Sequence, residues 1–366
     1  MKYVNYNDDV LKAYHYGLDN DAEFGPKVTV KKKAKIIVYY LLLIVLCRYD
    51  DRAIQKAKVV NGKKEKEIND PDDRTVLYYG IVGGILESFR NAYTNVSGMK
   101  RAKRFRILFE TFFTYVKDKE IGGNYAYWLC FNYWHNFILH YNLTELMQFG
   151  QCDRLSTQLS YLARLYKIDF IIQQHGFAWF TRMNPRKMYA RKVYAFDDVE
   201  IEKFKSCIVA NDDCEYDIKY KCTVNFVKNE LDKKYCTIGF IDQHLVKDIP
   251  ILMDSLMKYC DNCKIYVMLH PRTKKQEFAK YLDKGNVTIL EKDKVFGIDL
   301  LVANTSTLIF DYIQSEFEAP IIVGDLSKLF PEYKGKYENL YYSDNVEEFE
   351  SILCEKITEC KKSKGL

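Results

Sequence analysis

The chain lacks any apolar run of the roughly 20 residues that a bilayer-crossing helix needs, although 48% of its 366 residues are hydrophobic. Its uninterrupted apolar stretch, "IIVYYLLLIVLC" (Ile36–Cys47), is too short to span. Lys31, Lys32, Lys33 and Lys35 precede it. It reads as a buried strand or helix, the alternative being a monotopic patch whose lysines rest on anionic head groups. Charge of one sign is also scarce, the net value being +5. The 30 tyrosines and 22 phenylalanines are spread through apolar runs rather than interleaved with a basic stripe. They are expected in cores, and nucleic acid is not expected as a partner. No secretory signal, internal repeat or low-complexity segment is found. The 11 cysteines therefore read as free thiols in a reducing cytoplasm, not as a disulfide framework. Cys260 and Cys263 form a lone CxxC without the second pair of a structural zinc site.

What is present is an alternation of short apolar strands with amphipathic helices, the pattern of a parallel α/β sheet. The first 70 residues are irregular, and "NGKKEKEINDPDDR" (61–74) is a charged loop. "TVLYY" is a strand, followed by Gly80, Gly83 and Gly84 at a turn into a helix. Helical patterns cover 102–117 and 125–141, strands 145–150 and 169–176, and a helix 154–168. Residues 199–234 are charged and poorly periodic, a hinge region. Beyond it, strands are expected at 235–241, 264–270, 286–290, 299–304 and 319–324, the last closing the sheet. Helices are expected at 248–260, 274–284 and 307–316, with an amphipathic tail helix at 346–363. The length suits two domains. The expected organisation is a Rossmann-like half over 1–200, a hinge over 201–234, a second such half over 235–345 and a C-terminal helix over 346–366.

Ligands of open parallel sheets bind beyond the carboxyl ends of the strands. Three polar clusters fall at such ends: His175-Gly176, His270-Pro271-Arg272 and Asn304-Thr305-Ser306-Thr307. Pro271 stops its strand and leaves His270 at the sheet edge. Imidazole and the guanidinium of Arg272 can donate to phosphate oxygens. The hydroxyls of Thr305, Ser306 and Thr307 stand where a strand gives way to a helix, a place where unpaired N–H groups favour anions. Plain N-capping accounts for one hydroxyl there, not three. The last two clusters are expected on adjacent strand ends. The ordinary pKa of a histidine suits general-base work, which makes His175 a candidate, and Gly176 frees the backbone beside it. Glu87, Asp197 and Asp198 are further base candidates, with solvated or capping roles as the alternative.

Taken in order, "QQHG", "GFIDQ", "LHPR" and "DLLVANTSTLIFDYIQSEFEAPII" resemble bacterial transferases of the GT-B architecture, over residues 169–325. One such group is the lipooligosaccharide and polysialic acid sialyltransferases, with an HP motif and a paired-serine motif. The other is the CDP-glycerol glycerophosphotransferases, with "WHG", HP and "DYSSxxFD" motifs. The "SSxxFD" match runs Ser306, Thr307, Phe310, Asp311, with threonine keeping the second hydroxyl. Gln174 replaces the tryptophan of "WHG", and Asn304 and Thr305 replace the aspartate and tyrosine before the paired serines. "GFIDQHL", containing Gly239, is similar to the strand opening the donor domain of the sialyltransferases.

The resemblance implies an α/β fold of the GT-B type, two Rossmann-like domains facing a cleft. It implies a metal-independent, inverting glycosyltransferase using a CMP-linked donor, CMP-sialic acid or a related CMP-sugar. The acceptor would be a glycan or glycolipid of bacterial surface polysaccharide or lipooligosaccharide synthesis. His270, Arg272, Gly239, Thr305, Ser306, Thr307 and Asp311 would bind the donor, with His175, His270 and Glu87 as catalytic groups. No metal and no cofactor are expected, since donor groups stand in for the metal and no DxD-like metal site stands out. A CDP-glycerol-type transferase and a nucleotide-sugar epimerase of the same architecture are the alternatives, with a non-catalytic binding protein behind them. The expected location is the cytoplasm, with peripheral contact at the inner face of the cell membrane left open by Ile36–Cys47.

Overall fold

A computed structural model describes residues 12–13, 16, 75–79, 131, 135, 145–149, 154–174, 187–219, 226–227, 234–243, 247–259, 261, 263–270, 273–282, 286–290, 294–295, 297–315 and 317–366. Glu87, His175, Gly176, Pro271, Arg272, Cys260, the turn at Gly80–Gly84 and the stretch Ile36–Cys47 lie outside the described residues, as does most of the helical pattern read over 102–141. The chain divides into two compact units, Met1–Lys219 and Tyr220–Leu366.

The first unit carries a five-stranded parallel sheet: β1 (Thr75–Tyr79), β2 (Glu145–Phe149), β3 (Asp169–Gln173), β4 (Lys192–Ala195) and β5 (Glu215–Ile218). Among the described residues these strands lie side by side in chain order, with no reversal. Helix α1 (Arg154–Leu165) joins β2 to β3 and buries Leu159, Leu162 and Ala163, the i, i+3, i+4 stripe that its sequence spells. Lys167, at φ 56°, takes the left-handed conformation that ends such a helix. Helix α2 (Asp198–Lys203) follows β4 and runs into a π turn at Phe204–Ile208. Asp197 is its N-cap, the carboxylate accepting the Glu200 N–H at 2.9 Å. Of the two readings left open for Asp197, the structure therefore assigns the cap. Glu200, fully buried, accepts from Gln174 Nε2 and Lys203 Nζ, while Gln174 Oε1 accepts the Phe196 N–H. The segment 201–219, read as the start of a hinge, is an integral helix and edge strand of this unit. Its weak periodicity reflects an exposed edge: β5 is mostly exposed.

The second unit is built on six parallel strands: β7 (Cys236–Ile241), β8 (Cys263–Met268), β9 (Val287–Leu290), β11 (Leu300–Ala303), β12 (Ile321–Gly324) and β13 (Leu340–Ser343). A two-stranded pair, β6 (Phe226–Val227) with β10 (Lys294–Val295), stands apart. The sheet order is β13-β12-β11-β7-β8-β9. Numbered along the chain, that is 3-2-1-4-5-6 from the β9 edge, the doubly wound Rossmann order. The connections are α3 (Ile249–Met257), a 3₁₀ turn running into α4 (Ala279–Leu282), and α5 (Leu308–Ile313). Helix α6 (Val346–Lys364) closes the chain. The expectation that 319–324 closes the sheet is corrected. β12 is paired on both sides, and the four-residue "LYYS", too short to read as a strand, forms the edge.

Strand alternation separates two cores. Ile238, Phe240, Ile265, Val267, Leu300, Val302 and Ile322 face α3 and α6, against Leu252, Met253, Leu256, Phe349, Leu353 and Ile357. Ile241, Met268, Leu301, Ala303, Ile321 and Val323 face the other way, with Ile309 and Tyr312 of α5. β7, β11 and β12 are consequently buried along their whole length, as central strands of a parallel sheet must be. Among the described residues no helix is long and apolar enough to cross a membrane.

His135 is the buried titratable base of the first unit. Its Nε2 lies 2.6 Å from the Tyr166 hydroxyl, and burial lowers its pKa to about 4. A lowered folded pKa means that the unfolded chain takes up the proton first, so stability falls as pH drops from about 6.5 toward 4. The His135→Phe variant is expected to show a shallower loss of urea stability between pH 7 and pH 4.5 than the wild-type chain. Parallel pH profiles would contradict this.

Candidate functional site

In the second unit the strand order reverses between β7 and β11, so the crevice beyond their carboxyl ends is the topological switch point. β11 delivers Asn304-Thr305-Ser306-Thr307 to that crevice and β7 delivers Asp242. His270 stands two residues beyond β8. The sheet order corrects one expectation: β8 and β11 are not neighbours, because β7 lies between them. Two strand spacings, roughly 10 Å, separate their tips. The short apolar runs reveal strands but not their lateral order.

Asp242 ties two of the tips together. Its N–H extends the ladder to Met268 O at 3.0 Å, and its Oδ2 accepts the His270 N–H at 3.0 Å. His270 O in turn accepts the Thr273 N–H at 2.9 Å, a bond that joins the two ends of a turn. The backbone at His270 is thereby held while its ring stays partly accessible.

The third cluster is anchored from beneath. Asn304, almost fully buried, donates Nδ2 to Gly324 O at 2.6 Å and to Asp248 Oδ2 at 3.4 Å. Its Oδ1 accepts from Thr305 Oγ1 at 2.7 Å. Asp248 Oδ2 also accepts from Ser327 N at 3.1 Å and Ser327 Oγ at 3.0 Å. Beside it, Asp325 accepts from Leu329 N, Phe330 N and the Tyr342 hydroxyl. Burial raises the Asp325 carboxyl above its ordinary range, and these donors hold it down in part. A buried polar network of this kind is rigid only when its members are satisfied, and each of these acids has several donors.

Within the loop the hydroxyls differ. Thr305 points its hydroxyl at Asn304 and so supports the loop. Ser306 Oγ accepts the Leu308 N–H at a long 3.4 Å, whereas Thr307, formally the N-cap of α5, makes no side-chain cap bond. Ser306 and Thr307 are thus the hydroxyls with capacity left for a ligand. Asp311 lies one turn along α5 from Thr307 and is buried. α5 spans six residues, not the ten read from the pattern, so its dipole is short. Gly239 is not at a tip at all. A Cβ there would meet Ile298 Cδ1 at 2.5 Å and Met268 Cε at 3.1 Å, so the strand is closely packed at this glycine. Sequence reasoning missed Asp242, Asp248 and Asp325. The signal was present in "GFID" and "IIVGD", where an aspartate follows a wholly apolar strand directly.

No protein-family model matches the chain, and no curated protein matches it. Solved structures do. The UDP-GlcNAc 2-epimerase of Neisseria meningitidis, bound to UDP-GlcNAc, superposes with a TM-score of 0.46 at 10% identity over 70% of this chain and 82% of that one. The UDP-N-acetylglucosamine 2-epimerase of Rickettsia bellii gives 0.44 at 13% identity, over 65% and 71%. TarM gives 0.39 at 10% identity, over 59% and 48%. At such scores the fold rests on the sheet order itself: the chain is an α/β protein of parallel sheets, the second in the Rossmann order.

Asn304→Ala should cost about 1–3 kcal/mol in urea denaturation, because it strips buried acceptors of their donor. Gly239→Ala should cost about 1 kcal/mol or less, because the added methyl presses only on the terminal methyls of Ile298, Met268 and Leu301.

Proposed function

We propose that the protein is a glycosyltransferase whose second unit holds the phosphate of a nucleotide-activated sugar in the crevice between β7 and β11. The observation that carries this reading is the coincidence of the switch point with Ser306 and Thr307, whose hydroxyls stand above a buried network that keeps the loop in place. Ser306 and Thr307 would donate to the non-bridging oxygens, and His270, with Arg272 beside it in sequence, would reach the same phosphate from the β8 side. Asp311 would meet a hydroxyl of the nucleotide, since a buried acid is a poor neighbour for an anion but a good acceptor.

In this reading the first unit receives a glycan or glycolipid acceptor in bacterial surface polysaccharide or lipooligosaccharide synthesis. The acceptor hydroxyl attacks the anomeric carbon in line with the departing phosphate. The carbon–oxygen bond to phosphate breaks with its electron pair on the phosphate oxygen, and the anomeric centre inverts. His175 or Glu87 takes the proton of the attacking hydroxyl. Charge growing on the leaving phosphate is met by His270, Arg272, Ser306 and Thr307, the role that preorganised donors fill in such reactions. A CMP-linked donor, sialic acid or a relative, is the favoured substrate, on the motif order "LHPR" then "TSTLIFD".

A thermal-shift series with CMP, CDP, UDP and GDP tests the donor, because a ligand that binds only the folded chain raises its melting point. Selective stabilisation by CMP is expected, and a preference for UDP would overturn the CMP assignment. His270→Ala should lower turnover about a hundredfold or more, and near-normal turnover would remove His270 from the site. Conversion of the donor to an epimer without any acceptor would replace transfer by epimerisation.

A further inference from the structure

At the opposite, amino-terminal edge of the second sheet, three cysteines and an aspartate converge. Cys236 opens β7 and Cys263 opens β8, and the two are direct partners in the ladder. Both are fully buried on the face that α6 covers. On α6 the apolar stripe Phe349, Leu353, Ile357 continues to Cys360 at helical spacing, which brings that thiol down onto the same edge. Asp299, just before β11, completes the group. The ligand atoms of Cys236, Asp299 and Cys360 lie within 4.8 Å of one another, and Cys263 is the ladder partner of Cys236.

We propose that Cys236, Cys360 and Asp299, with the neighbouring ladder partner Cys263 as a fourth ligand, form a site for a thiophilic divalent metal ion, of which zinc is the natural representative. Four ligands of types S, S, S and O suit a closed tetrahedral centre. Thiolates at about 2.3 Å from such an ion stand about 3.8 Å from each other, so a modest contraction brings Cys236, Cys360 and Asp299 to ligating distance. The carboxylate is already oriented. Asp299 Oδ2 accepts from Thr237 N and Thr237 Oγ1, each at 2.7 Å, and from the Lys364 ammonium. Outer partners of this kind commonly fix metal-binding carboxylates. Cys360 and Asp299 keep partial exposure, which leaves a route in from solvent.

The site is distinct from the donor crevice, since the two lie at opposite ends of the same strand, roughly 20 Å apart along β7. Its effect would be structural: a bound ion clips α6 to β7 and β8, and binding free energy becomes stability of the second unit. The lone CxxC plays only a partial part, because its Cys263 takes partners from distant segments.

The test is a titration of reduced, metal-free, full-length protein with Co²⁺ alone, followed by Zn²⁺. A thiolate-to-cobalt absorption band with tetrahedral visible bands, saturating at one equivalent and bleached by zinc, is expected. Cys360→Ser should lose most of that band and the zinc-induced rise in melting temperature. Cys354→Ser, an exposed thiol on the same helix, should change neither. Cys360 is partly exposed, so its variant should fold even where a Cys236 variant does not. No band at one equivalent, a band that survives Cys360→Ser, or a stable Cys236–Cys360 disulfide with no metal uptake after reduction would overturn the proposal.

Discussion

The second unit depends on the burial of β7 on both faces. Every residue from Cys236 to Ile241 is enclosed, so this strand can present chemistry only at its two ends. The carboxyl end carries Asp242, which draws in the β8 tip through the His270 N–H. The amino end carries Cys236, beside Cys263, Cys360 and Asp299. Gly239 follows from the same constraint: Ile298, Met268 and Leu301 occupy the volume a side chain would need. Because the strand has no freedom sideways, both ends are held to a fixed place in the sheet.

Polar groups at the carboxyl edge divide into those that hold and those that remain available. Asn304, Thr305, Asp248, Ser327 and Asp325 spend their hydrogen-bonding capacity on one another and on backbone groups. Ser306 and Thr307 do so weakly or not through their side chains. The distinction matters because an isolated buried carboxylate is costly, so these acids must be satisfied internally. Asp248, with three donors on one oxygen, meets that condition.

Much of the fold was legible in the text. Apolar runs of four to six residues marked β2, β3, β7, β8, β9, β11 and β12; β7, β11 and β12 read most plainly, since strands buried on both faces have no polar alternation to blur them. The tail helix was legible as an amphipathic run over 346–363, and the structure caps it with Asn345 and Gly365. β13 was not, because "LYYS" carries as many polar as apolar signals. Residues 201–219 were misread because an exposed edge strand and a π turn lack the periods that reading relies on. At the candidate site, His270 and Asn304–Thr307 were found from their position at strand ends. Asp242, Asp248 and Asp325 were missed, since a single aspartate after a strand looks the same whether it caps, turns or ties two strands together.

By itself, the sequence determined the class of the protein: parallel α/β units, with hydroxyls and a histidine at strand tips. Local patterns suffice for that, because they depend on neighbours two to four residues away. Only the tertiary structure decided which tips stand side by side, that β7 separates His270 from Ser306, and that the strand is closely packed at Gly239. The same holds for the gathering of Cys236, Cys263, Asp299 and Cys360 from four separate elements. Lateral strand order and helix docking are set by the burial of whole faces, and no short stretch of sequence records them.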